Sequence, residues 1–142
     1  MKRITVLLAD DNWVVRKEFR KILELEDDLE VVGEAKNGLE AVAMVKKLRP
    51  ALVLMDVMMP LLNGFQASRE ILKAAPATKV LMLSAHSDEE YVEAATNCGS
   101  MGYLLKHTCA DSVCQAIREI QNGNTFFRSW ILSHLRKRNR KK

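Results

Sequence analysis

Three acids, one hydroxyl and one amine stand in this chain where they could act together. Asp10 and Asp11 follow the apolar run ITVLLA at 4–9, Asp56 follows ALVLM at 51–55, Ser84 follows KVLML at 79–83, and Lys106 follows MGYLL at 101–105. Carboxylates held within a few ångströms of one another repel, so such a trio stays ionised only if a cation joins it, and hard oxygen donors suit Mg²⁺. A carboxylate beside Mg²⁺ can attack a phosphoryl group to give an acyl phosphate. Lys106 would then bind the phosphoryl oxygens as a charge and Ser84 as a hydrogen-bond donor. Asp56 is the acid placed to be the nucleophile, because an unbroken apolar run leads into it and a loop containing Pro60 and closing on Asn63-Gly64 follows.

Bringing these groups together requires a scaffold, and the patterning supplies one. Apolar runs rich in β-branched residues alternate with segments of helical period, the pattern of a parallel α/β sheet. Strands are expected at 4–9, 30–35, 51–55, 79–83 and 101–105, and helices at about 13–26, 38–48, 64–74, 88–97 and 109–122. Most of the strands read as solid hydrophobic runs, as in a sheet covered on both faces. The 30–35 run is more polar and suits an edge. In the first helix Val14, Val15, Phe19, Ile22, Leu23 and Leu25 fall close to one face, with Arg16, Lys17, Arg20 and Lys21 on the other. Ser87 and Glu90 form a capping-box pattern at the start of the fourth. Asn37-Gly38 and Asn122-Gly123 mark helix boundaries, and Pro50 and Pro76 close the second and third helices. Ligands of open α/β sheets bind outside the carboxyl ends of the strands, so all five chemical groups are expected on one rim.

Composition narrows the class of protein. With 142 residues, 48% hydrophobic and 28% charged, the chain has the size and balance of one globular domain. Its apolar runs are too short to span a bilayer, and the N-terminal run ends in acids, unlike a secretory signal, so a cytoplasmic location is expected. Cys98, Cys109 and Cys114 are odd in number and lack zinc-ligand spacing, and they read as reduced thiols. Residues 124–142 hold seven of the 22 Lys and Arg and none of the 18 Asp and Glu, which leaves residues 1–123 at −3. An acidic domain at 1–123 is therefore followed by a basic linker or C-terminal helix at 124–142, with a helix from about 128 to 138. Nineteen residues cannot hold a helix-turn-helix. The basic tail reads as a solvated linker in preference to a nucleic-acid contact.

The segments LLADDN, LMDVMMPLLNG, LMLSAH and GYLLK, in this order, resemble the signature segments of the receiver domain of two-component response regulators, over residues 2 to about 122. AKNGLEAV and GYLLK are similar to the subfamily that carries a C-terminal LuxR/NarL-type helix-turn-helix. The resemblance implies a flavodoxin-like (βα)5 three-layer sandwich with sheet order 2-1-3-4-5. It implies a regulator, not an enzyme in its own right, which takes a phosphoryl group from a sensor histidine kinase and catalyses only that transfer and its own dephosphorylation. Carried over by position, Asp56 is the phosphoacceptor, Asp11 a direct Mg²⁺ ligand, Asp10 an acid acting more often through water, and the Met58 backbone carbonyl a third metal contact. Ser84 and Tyr103 are the switch residues and Lys106 the phosphoryl-binding amine. Ala85 leaves access to the phosphoryl group, and Met58 and His86 tune its lifetime.

The output is expected to be transcription, through a DNA-binding domain outside this chain, with homodimerisation as one route. The alternative is a stand-alone receiver that acts through protein contacts. The family often follows its Lys with a cis Pro; here His107 follows, and a cis bond without Pro costs about 3–4 kcal/mol, so the resemblance does not carry the geometry of that loop. Other readings fit less well. A haloacid-dehalogenase-type phosphatase wants a second Asp where Met58 stands, and a flavodoxin wants a phosphate-cradling loop where LLADDN offers acids. A pseudo-receiver would not need an intact acceptor, acid pair, hydroxyl and Lys. Taken alone, Asp10-Asp11 would read as a helix N-cap pair and Tyr103 as a half-buried strand residue.

Overall fold

The computed structural model describes residues 2–85, 89–107 and 110–127. His86, Ser87, Cys109 and the tail from residue 128, and with them the tuning role of His86, the Ser87 capping box and the 128–138 helix, lie outside the described residues. Strands and helices alternate: β1 (Ile4–Ala9), α1 (Trp13–Glu24), β2 (Leu29–Ala35), α2 (Gly38–Leu48), β3 (Leu52–Asp56), α3 (Gly64–Ala74), β4 (Lys79–Ser84), α4 (Glu89–Asn97), β5 (Gly102–Leu105) and α5 (Ala110–Gln121). Each element expected between residues 4 and 122 is present, displaced by no more than two residues at either end.

With a further strand β6 (Phe126–Phe127), all strand pairs among the described residues are parallel, in the order β2-β1-β3-β4-β5-β6. The flavodoxin-like order 2-1-3-4-5 is therefore extended by one strand, β6, which continues the sheet past Gly123. A two-residue strand has no period to read, which is why the sequence did not announce it. The polar run does form an edge: β2 pairs only with β1 among the described strands, and its register slips at Val32, a bulge of the kind that limits edge pairing.

Alternation along the strands divides the interior into two layers. Leu7, Ala9, Val53, Met55 and Met82 face Ala41 and Val45 of α2, Ala67 and Ile71 of α3, and Val92 and Ala95 of α4. Val6, Leu8, Leu52, Leu54 and Leu83 face Phe19 and Leu23 of α1 and Val113, Ile117 and Ile120 of α5. The three-layer arrangement follows, with α2, α3 and α4 on one face and α1 and α5 on the other. The apolar face expected for α1 is narrower than its residue types suggested. Val14 is exposed and Leu25, its C-cap, is 81% exposed, while Val15 and Ile22 pack at the margin of the core. Cys98 and Cys114 are buried free thiols. No helix among the described residues is long and apolar enough to cross a membrane.

Candidate functional site

The carboxyl ends of β1, β3, β4 and β5 meet on one rim, and the expected groups are found there. Asp10 leaves β1 with its N–H donating to the Ala35 carbonyl at 3.0 Å. Its Oδ1 accepts the Asn12 N–H at 2.9 Å. The cap of α1 is Asn12, whose side chain accepts from the N–H groups of Val14 at 2.9 Å and Val15 at 3.4 Å. That assignment leaves both acids free of capping, so the N-cap reading of Asp10-Asp11 is replaced. Asp56 is the last residue of β3 and is buried, with its Oδ1 3.4 Å from the Met58 N–H.

The loop after Asp56 turns back through a tight set of backbone contacts. Val57 N–H donates to the Leu83 carbonyl at 3.1 Å and Gly64 N–H to the Val57 carbonyl at 2.8 Å, while Leu61 takes a left-handed φ of 69°. A Cβ on Gly64 would collide with the Asp56 carbonyl, so the Asn-Gly pair is needed for α3 to start directly beneath the acid. Asn63 caps α3 and forms a capping box with Gln66. The sequence carried that signal as N-x-x-Q.

Carboxylate oxygens of Asp10, Asp11 and Asp56 lie within 4.8 Å of one another, with Asp10 and Asp56 buried and Asp11 exposed. Lys106 closes the group, its Nζ 3.0 Å from Asp10 Oδ2 and 3.3 Å from Asp56 Oδ1. Desolvation, and then the charge of Asp10, push the Asp56 carboxyl up to about 6, against the opposing pull of Lys106. Burial would lower the Lys106 ammonium, but the hydrogen bond it donates to Asp10 and the charges of Asp56 and Asp10 together outweigh it and hold the amine above its ordinary value. Beyond the Lys106 ammonium at 3.0 Å, Asp10 Oδ2 has no hydrogen-bond partner among the described residues. A buried, under-coordinated carboxylate oxygen facing two further carboxylates is a donor set that could hold a metal ion, and a hard one.

Ser84 ends β4 and is buried; its carbonyl accepts the Lys106 N–H at 2.8 Å. No cis peptide occurs among the described residues, so Lys106–His107 is trans. Tyr103 is fully buried in the α4-side layer, not half-buried, and pairs in register with Phe127. Ala85 is exposed beside Ser84. Of the methionines, Met55, Met59 and Met82 are core, while Met58 is 55% exposed next to Asp56. Trp13 is exposed on the first turn of α1, with Lys17 Nζ 6.0 Å from its ring centroid. Reading the sequence missed Arg16. Placed with the solvent face of α1, it is instead only 11% exposed and donates from Nη1 to the Asp10 carbonyl at 2.6 Å.

Known proteins show the same arrangement of chain. Residues 6–118 match the response regulator receiver domain family. The transcriptional regulatory protein YxjL of Bacillus subtilis is 39% identical over 89% of this chain and 58% of its own length. DegU of Brevibacillus brevis is 35% identical over 98% of this chain and 59% of its own length. The chain thus spans about three fifths of these relatives. Among solved structures, a LuxR-family two-component response regulator from Aurantimonas sp. SI85-9A1 superposes with a TM-score of 0.91 at 26% identity, over 97% of this chain and 99% of that one. The signal receiver domain of a NarL response regulator from Mycobacterium tuberculosis superposes with a TM-score of 0.84 at 29% identity, over 87% of this chain and all of that one. With this fold, this acidic rim and these matches, the chain belongs to the response regulator receiver domain family of two-component systems.

Proposed function

We propose that this chain is a phosphorylation switch in which Asp56 accepts a phosphoryl group from a histidine kinase in the cytoplasm and passes the signal to a transcriptional output. The observation that carries the reading is the joint approach of Lys106 to Asp10 and Asp56 within a trio of acids whose oxygens lie inside 4.8 Å. Mg²⁺ bound by Asp10, Asp11, Asp56 and the Met58 carbonyl would neutralise charge on the phosphoryl oxygens. Asp56 Oδ attacks phosphorus in line with the leaving imidazole nitrogen; the O–P bond forms as the P–N bond breaks. Lys106 supplies positive charge to the transferred oxygens, and Ser84 a hydrogen bond. Ala85 and the exposed Met58 leave the donor a way in.

Once the phosphoryl group is attached, Ser84 and Tyr103 reposition, and the surface made by α4, β5 and α5 changes its affinity for a partner or a second copy. In this reading the chain is not an enzyme acting on an external substrate. Receiver residues up to Gly123 serve as the switch and 124–142 as the connection to an output. The transcriptional output is supported by the longer relatives, whose names describe transcriptional regulators. Incubation with Mg²⁺ and acetyl phosphate, followed by intact-protein mass spectrometry, tests the reading. The wild type gains one phosphoryl mass, and both chelation of Mg²⁺ and Asp56→Asn abolish the gain. An unchanged wild-type mass under conditions where Mg²⁺ binds counts against it.

A further inference from the structure

Asp10 is fixed by its backbone as well as by its carboxylate. On one side its N–H donates to Ala35 of β2 at 3.0 Å; on the other its carbonyl accepts Arg16 Nη1 at 2.6 Å. Arg16 is itself anchored, its Nε donating to Glu34 Oε1 at 2.9 Å, while the second oxygen of Glu34 accepts Arg20 Nε at 2.8 Å. The guanidinium therefore spans two elements, the end of β1 and the edge strand β2, from a third, α1. At 11% exposure it is not an ordinary surface cation. With Asp10, Val15, Phe19 and Leu54 it lines a small crevice.

We propose that Arg16 is a positioning residue for the cation site: anchored on Glu34, it holds the Asp10 backbone so that the Asp10 carboxylate converges with those of Asp11 and Asp56. This rests on the reading of the acidic trio as a Mg²⁺ site. Arg16 could also influence that site through its charge, and the two roles predict opposite signs. A nearby guanidinium acting by its field alone repels Mg²⁺, so its removal tightens binding. A guanidinium acting by positioning lets Asp10 relax when removed, so binding weakens. Lysine keeps the charge but lacks the planar fork that reaches a carbonyl and a carboxylate at once. Arg20 also carries a charge onto Glu34, but its polar partners are Glu34 and Glu24, not Asp10, which makes it the control.

The test is Mg²⁺ affinity by isothermal titration calorimetry at fixed ionic strength, with thermal melts to verify folding. Arg16→Met, which retains an apolar stem to line the crevice, is expected to weaken binding about tenfold, the lower end of what a contact behind a metal ligand contributes. Arg16→Lys is expected to give an intermediate loss, Glu34→Gln a smaller loss, and Arg20→Gln a change within about twofold. Folded Arg16→Met protein that binds Mg²⁺ as tightly as wild type, or more tightly, overturns the proposal. If that variant does not fold, wild-type affinity in both Arg16→Lys and Glu34→Gln overturns it instead. Wild-type protein that takes up no Mg²⁺ at millimolar concentration defeats the cation-site reading itself, and the positioning role falls with it.

Discussion

Asp56 is an acid that the fold makes uncomfortable. Its folded value of about 6 lies above the ordinary 3.8 because β3 carries it out of water and Asp10 faces it. Between those two values the native state holds a proton that the unfolded chain does not. Stability contributed by this group is therefore greatest in acid, falls as pH rises from about 4 to about 6, and stays low above that. Without divalent ions, Asp56→Asn is expected to be more stable than wild type at pH 7, by on the order of 1–2 kcal/mol. Thermal melts across pH should show the gain fading toward pH 4. Added Mg²⁺ should raise the wild-type Tm and leave the variant little changed, because only an ionised trio binds the cation strongly. A variant less stable than wild type at pH 7 would mean that the Lys106 ion pair outweighs desolvation. At this scale the sequence was legible where a type stood out against its run, as an acid does after ALVLM. It was not legible at Arg16, because an Arg at helical spacing looks the same whether it meets water or a carbonyl. Arg16 and Glu34 are 18 positions apart, and only the packing of α1 on β2 brings them together.

At the scale of elements, the site depends on where helices begin. Asn12 sets the start of α1 one residue after the acid pair, which lets the chain use Asp10 and Asp11 for other contacts. Asn12→Ala is expected to cost about 1 kcal/mol of stability. The same change leaves the Asn12 backbone N–H to Asp10 Oδ1 in place, so Mg²⁺ affinity is expected to stay within about twofold of wild type. Chemical denaturation and a Mg²⁺ titration on the one variant check both expectations; an unaltered unfolding midpoint would contradict the capping role. The strands and helices were readable because solid apolar runs and helical period coincide with burial on two faces. The cap identity was harder to read, since Asp, Asp and Asn all suit an N-cap and only backbone geometry decides which does so. Val14 and Leu25 show the opposite error: apolar type implied a face, but both are exposed, Leu25 as the C-cap beyond the last helical residue.

For the whole molecule, the sheet does not stop at the end of α5. Phe126 packs into the layer of α1 and α5, and Phe127 into the layer of α2, α3 and α4, so β6 contributes to both cores as it leaves the domain. A chain ended after Gly123 is expected to be about 2 kcal/mol less stable than one ended after Phe127, roughly what two partly buried aromatics contribute by apolar burial. Equal unfolding midpoints for the two truncations would show that β6 adds nothing. The charge division is of the same scale: residues 1–123 carry −3, and residues 124–142 hold seven Lys and Arg with no acid. The family was legible because its segments fall at strand ends, where the fold itself requires particular chemistry. The partner and output are not, because they depend on surfaces and chain beyond this rim.

Localising the modification shows most directly whether Asp56 is the residue that carries the phosphoryl group. Protein treated with Mg²⁺ and acetyl phosphate is reduced with borohydride, which converts an aspartyl phosphate to homoserine, and its peptides are sequenced by tandem mass spectrometry. The predicted result is homoserine at position 56 alone, absent without Mg²⁺. Homoserine at position 10 or 11, or modification that persists without Mg²⁺, would contradict the account.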